Sequence, residues 1–208
     1  LRPDIWRSHG DRQIYLTSLF TGLLGKGPAL TACAHIPDLH HFSGRGAKDT
    51  IPLFRSRDND ECNILPGFLE ALSNIYELSV TPEDFVAYLH GILAHPGYTS
   101  RFNKELETRE LRVPITKDIA LFEQVRCLGA RLLWLHTYGE RFIPEGHEAG
   151  QLPTGHARCA VAVPGNPEGY PTAFEYNEET ETLHVGKGEF APVTKAVYEF
   201  EVSGLKVV

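Results

Sequence analysis

Thr81-Pro82-Glu83-Asp84-Phe85-Val86-Ala87-Tyr88-Leu89-His90-Gly91-Ile92-Leu93-Ala94-His95-Pro96-Gly97-Tyr98-Thr99-Ser100-Arg101-Phe102 is the stretch from which the rest of the chain is read. Thr81 is suited to cap a helix, Pro82 fits its first turn, and Glu83 and Asp84 complement the helix dipole there. Phe85, Tyr88, Leu89, Ile92 and Leu93 recur at helical spacing and give one apolar face. Pro96-Gly97 ends that helix, and Tyr98 to Leu106 predicts a second, more polar one. Beyond Val113-Pro114 a third runs from Thr116 to about His136, with Ile119, Phe122, Val125, Leu128, Leu132 and Leu135 on its expected buried stripe. Cys127 beside that stripe is expected to be a buried thiol. His90 and His136, flanked by apolar residues, are expected to be hydrogen-bonded structural histidines.

On either side of this helical centre the pattern is extended. Asp11 to Phe20 contains a strand candidate, Ala29 to His35 another, and Thr50 to Phe54 a third, ahead of a short helix over Leu65 to Tyr76. From Pro144 to Pro171 prolines and glycines punctuate a long loop that holds one strand, Ala157 to Val163. Ala173 to Tyr176 and Thr182 to Val185 flank a turn, Val197 to Val202 alternates as a half-buried strand does, and Leu205 begins another after the turn at Ser203-Gly204. The expected fold class is α+β: a central helical bundle with flanking β segments and an antiparallel, β-rich carboxy-terminal part. Three parts follow, 1–64 rich in β and loop, 65–138 helical, and 139–208 loop and antiparallel β.

Length and composition are those of an ordinary folded protein, at 208 residues, 42% hydrophobic and 23% charged. No apolar run approaches the ~20 residues of a membrane helix, so no membrane partner is expected. The start, Leu-Arg-Pro-Asp-Ile-Trp, lacks a signal-peptide core. The chain contains no Met, so it is expected to be a piece of a larger reading frame. Cys33, Cys62, Cys127 and Cys159 stand far apart, which suits a reduced, cytoplasmic setting. The net charge of −7 weighs against nucleic-acid binding, but it is uneven: residues 1–60 carry eight basic and six acidic side chains.

Catalytic motifs are tested and fail. Gly22-Leu23-Leu24-Gly25-Lys26-Gly27 lacks both the spacing and the Ser or Thr of a phosphate loop, and Gly44-Arg45-Gly46 lacks the third glycine of a dinucleotide fingerprint. Cys33, His35, His40 and His41, or His147, His156 and Cys159, could converge on a metal, but without the paired spacing of a zinc site. Arg45, Lys48, Arg55 and Arg57 fall within thirteen residues of loop-like, glycine-bearing sequence beside His40 and His41. Guanidinium forks match phosphates and base edges, so these six residues are the candidate DNA contacts. Asp49, Asp58 and Asp60 offset them, and an ordinary solvated loop stays open as the alternative. Arg101, Lys104, Arg109, Arg112 and Lys117, interleaved with glutamates, read as a solvated face.

The run from Asp84-Phe85-Val86-Ala87-Tyr88 through His95-Pro96-Gly97-Tyr98 to Arg101-Phe102, with its exit Leu111-Arg112-Val113-Pro114, resembles the carboxy-terminal specificity region of type ISP restriction–modification enzymes and related adenine-specific DNA methyltransferases. Three further blocks agree in order: Pro37 to Phe42 with Lys48 to Phe54, Leu133-Trp134-Leu135-His136, and Tyr176-Asn177 through Val197-Tyr198-Glu199-Phe200 to Val207. The resemblance implies a target-recognition domain with double-stranded DNA as partner. It also implies an upstream methyltransferase domain of the same polypeptide, where S-adenosylmethionine and the adenine chemistry would reside. No Asn-Pro-Pro-aromatic motif occurs here, so no cofactor and no catalysis are expected of residues 1–208 themselves. An assembly module that never touches bases and a small metal-dependent hydrolase remain the alternatives.

Overall fold

The computed structural model describes residues 3–18, 28–38, 49–58, 60–106, 112–202 and 205–206. Two compact units divide the chain, the first Leu1–Leu152 with Val202–Leu205 and the second Pro153–Glu201 with Lys206–Val208. The fold is α+β.

The first unit opens with a short helix, α1 (Pro3–Arg7). Its antiparallel sheet follows, in the order β2 (Thr31–Cys33), β1 (Tyr15–Ser18), β3 (Asp49–Pro52). β1 and β2 fall within the expected extended segments, and β3 begins one residue before its own. Ile14, Leu16, Ala32 and Leu53 from this region pack against Val86, Ala87, Leu93 and Leu133 of the helices, so one core joins the sheet to the bundle.

Helix α2 (Phe68–Tyr76) leads to α3 (Pro82–Leu93), whose start is as the residues dictate. Thr81 Oγ1 accepts from the Asp84 N–H at 3.1 Å and the Asp84 carboxylate accepts from the Thr81 N–H at 3.0 Å. That reciprocal box satisfies two of the helix's orphan donors. Asp84 also receives Arg126 Nη1 at 3.0 Å, which ties the start of α3 to α6 (Ile119–His136). The second helix of the sequence reading is two short ones, α4 (Pro96–Arg101) and α5 (Asn103–Leu106). Pro96 begins α4 as well as ending α3, because His95 Nδ1 accepts from the Tyr98 N–H at 3.2 Å. Three tyrosine hydroxyls then pin the extended segment before α6. Tyr98 donates to the Arg112 carbonyl (2.9 Å), Tyr88 to that of Pro114 (2.8 Å), and Tyr76 to that of Thr116. Asp118, whose Oδ1 accepts from the Ala120 and Leu121 N–H groups, caps α6.

The buried face of α6 differs from the expected stripe. Phe122, Gly129, Leu133 and Trp134 are buried, whereas Ile119 is 43% and Leu128 64% exposed, and Cys127 is exposed too. The cause is backbone proximity. A Cβ on Gly129 would lie 1.8 Å from the Ala87 carbonyl oxygen, and one on Gly91 2.7 Å from that of Val125. Contact through glycine turns its small-residue face toward α3, which a count of large apolar residues does not register.

The second unit is a four-stranded antiparallel sheet in the order β4 (Arg158–Val161), β7 (Gly188–Ala191), β6 (Thr182–Val185), β5 (Phe174–Asn177). Phe190, Leu183 and Tyr176 share one register row and so one face. The alternating run from Val197 is not one strand. Its first part belongs to α7 (Lys195–Tyr198), and only Glu201–Val202 (β8) is extended, paired in sheet with β9 (Leu205–Lys206). Tyr198 stacks on Tyr176 with ring centroids 4.2 Å apart, and the Tyr176 hydroxyl donates to the Val193 carbonyl at 2.9 Å. That aromatic contact suits a one-turn helix over the sheet face.

Candidate nucleic-acid interface

Of the six residues proposed from sequence, Arg55 and Arg57 are described; His40, His41, Arg45 and Lys48 lie outside the described residues. The loop that carries the two arginines is anchored at its base. Phe54 and Cys62 form a bridge, the Arg55 N–H donates to the Glu61 carbonyl at 2.8 Å, and the Asn63 N–H to that of Leu53 at 2.7 Å. Phe54 is buried and Cys62 packs on the core, so the root is rigid while the tip stands in solvent.

Arg55 is 58% exposed; its Nε donates to Asn63 Oδ1 at 3.0 Å and its Nη1 lies 3.3 Å from Glu61 Oε1. An ion pair this exposed is worth at most about 1 kcal/mol, so a phosphate can take the place of Glu61 at small cost. Arg57, exposed at the tip, makes no hydrogen bond or ion pair among the described residues. The Ser56 hydroxyl donates to Asp60, and that bond, with backbone N–H donors, holds the Asp60 carboxyl below its ordinary value. Asp60 therefore stays ionised and bound within the loop.

Two residues that sequence reasoning passed over organise this root. Gln13 is fully buried; its Nε2 donates to the Ser8 carbonyl and, at 2.8 Å, to that of Phe54, while its Oε1 accepts from the Phe54 N–H at 3.0 Å and the Ile14 N–H at 3.2 Å. Its own carbonyl accepts Arg141 Nε at 2.9 Å. Arg12 lies over the Phe54 ring, 5.4 Å from guanidinium to centroid, with its Nε on Glu83 Oε1 at 3.0 Å. Only the burial of a glutamine, invisible in sequence, could have signalled the first.

Among the described residues no three His, Cys, Asp or Glu side chains gather. His35 instead meets Glu140 at 2.8 Å, His147 sets its ring against Trp134, and burial pushes the Cys33 thiol up to about 11. Beneath the sheet lies an almost wholly apolar cavity of about 540 Å³, lined by Leu16, Leu30, Ile64, Phe68, Phe85 and Leu89 among others. Thr17 and Asn63 are its polar side chains.

The family model for the Type ISP C-terminal specificity domain matches residues 1–208. The chain belongs to this family. No curated protein matches the sequence. Among solved structures, the cryo-EM DrdV–DNA complex aligns with 94% of the specificity domain at 16% identity and a TM-score of 0.64. A nuclease-deletion mutant of the Type ISP restriction–modification enzyme LlaGI, in complex with a DNA substrate mimic, aligns with 93% at 16% identity and 0.58. The ATP-dependent Type ISP restriction–modification enzyme LlaBIII bound to DNA aligns with 93% at 16% identity and 0.61. These likenesses establish the shared fold. The specificity domain spans 19%, 16% and 12% of those three chains respectively. Among its described residues no helix is long and apolar enough to cross a membrane.

Proposed function

We propose that this specificity domain recognises a double-stranded DNA target for a larger restriction–modification polypeptide and performs no catalysis itself. The observation that carries the reading is the match of the whole chain, residues 1–208, to a specificity-domain family. The free Arg57 on its rigidly rooted loop gives the reading a physical contact. In this account an upstream adenine-specific methyltransferase domain, supplied with S-adenosylmethionine, modifies the base, and this domain sets which base is presented. The cytoplasm, where the cell's DNA lies, is its place of work. Arg55, Arg57, Arg45, Lys48, His40 and His41 are the proposed contacts.

The test is fluorescence anisotropy of the 208-residue chain with a labelled pool of random-sequence duplexes, followed by selection of the tightest binders. Arg57→Ala is expected to weaken binding roughly three- to ten-fold and to reduce the salt slope by about 1, as loss of one phosphate contact does. Equal affinity for every duplex, before and after the change, sinks the reading.

A second role concerns another face. Leu121 and Leu128, seven residues apart and so on one side of α6, stand exposed, and apolar side chains of this kind suit packing against another domain of the same polypeptide. Leu128→Glu should then leave DNA binding by the chain intact while weakening its association with that domain.

A further inference from the structure

Gln13 joins two segments that the sequence holds far apart. Because its Nε2 donates to the carbonyls of both Ser8 and Phe54, the exit of α1 lies directly beside the root of the arginine loop. The hydroxyl of Ser8 donates back to the Ile5 carbonyl at 2.7 Å, which fixes the turn that follows Trp6. Trp6 itself is 57% exposed. Its ring is propped edge-on by His9, centroids 6.1 Å apart and planes at 81°, and His9 in turn lies 5.8 Å from the His35 ring. A lone exposed apolar side chain needs no explanation. A tryptophan braced by an imidazole, on a turn locked to a cation-bearing loop, has a specific chemical use. Its flat apolar face suits a deoxyribose or an exposed base edge, while the guanidinium of the loop rooted beside the same turn takes a phosphate of the same duplex. A purely apolar protein partner would bury the charge of Arg57 without a counter-ion, at several kcal/mol by the general rule for unpaired charges. Nucleic acid supplies both complements at once.

We infer that Trp6 is a further duplex-DNA contact of this domain, packing against sugar or base beside the phosphate held by Arg57. The inference rests on the DNA-recognition reading above. It makes the interface bipartite, with the loop supplying charge and α1 supplying a ring.

The experiment uses the intact chain and the duplexes selected above. The protein has two tryptophans, and Trp134 is buried, so the emission lost in Trp6→Phe is that of Trp6. Saturating duplex is expected to shield that emission from acrylamide. Trp6→Ala should weaken binding roughly ten-fold, about 1.4 kcal/mol, which is less than the full burial of a large apolar side chain, and by the same factor at low and high salt, since the contact is not ionic. Trp6→Phe should recover part of the loss. Unchanged circular dichroism and melting temperature of Trp6→Ala separate contact from folding, and the shielding of the native chain needs no substitution. Binding that persists with Trp6 unshielded overturns this inference alone. Absence of duplex binding by the native chain overturns the recognition reading and this inference with it.

Discussion

His90 is the residue whose environment departs furthest from its chemistry. It is fully buried between α3 and α6, and neither ring nitrogen has a hydrogen-bond partner among the described residues. The hydrogen-bonded structural histidine expected from sequence is therefore half right: structural, but not satisfied. The His136 ring stands 5.0 Å away at 89°, itself mostly enclosed and with Nδ1 unpartnered. Burial first, and then the neighbouring imidazole, push the His90 pKa from 6.5 down to about 3; burial also lowers that of His136. The native state thus refuses a proton that the unfolded chain accepts. Stability should be flat above the unfolded value of 6.5 and fall as acid is added, reaching its full loss only near 3. By linkage the deficit from His90 alone is about 2 kcal/mol at pH 5. Urea unfolding at pH 7 and pH 5 measures it, and His90→Leu, which removes both orphan nitrogens at similar volume, should abolish most of the difference. An equal acid loss in His90→Leu would place the sensitivity elsewhere.

At the scale of elements, the crossing of α3 and α6 separates adjacent positions by consequence. Gly129→Ala drives a methyl into the Ala87 carbonyl, from which its Cβ would be 1.8 Å. Backbone cannot step aside as a side chain can, so the helices must part. A loss of about 3 kcal/mol, the upper end for overpacking, is expected in the urea midpoint. Leu128→Ala, one residue earlier but largely exposed, should change stability by no more than about 0.5 kcal/mol. The sequence pattern assigns the opposite importance, since leucine counts toward an apolar stripe and glycine does not. Caps, breaks and strands were legible where their causes are local: Thr81 with Asp84, the break at Pro96-Gly97, the β-branched run into β1. What was not legible depends on partners distant in sequence. The alternation at Val197 reads as strand until Tyr176, 22 residues earlier, offers Tyr198 a ring to stack on. Arg55 and Arg57 stood out as loop cations, whereas Gln13 and Arg12 gain meaning only when Phe54 is brought beside them. The resemblance blocks around Tyr98 and Arg112 also become one device here, joined by the hydroxyl-to-carbonyl bond at 2.9 Å.

At the scale of the whole molecule, charge sets the manner of binding. The second unit carries eight glutamates against four basic residues within a chain of net charge −7. Such a molecule gains no long-range attraction to DNA, and its affinity must come from short-range contacts made after encounter. Several of its arginines are already committed: Arg12 to Glu83, Arg126 to Asp84 and Glu123, Arg141 to Gln13. Among the described residues of the proposed contact set, Arg57 is free and Arg55 exchangeable; with Arg45 and Lys48, proposed from sequence, the set holds four cations. With four phosphates neutralised, log K should fall against log salt with a slope of about −3.5, well short of the value near −10 of a strongly basic repressor. Association should correspondingly be slow for a DNA-binding protein and only mildly quickened at low salt. Anisotropy titrations of the selected duplex between 50 and 200 mM salt give the slope directly. A slope steeper than about −6 would require more phosphate contacts than these four side chains can make, and would move the interface to the cations of α4 and α5.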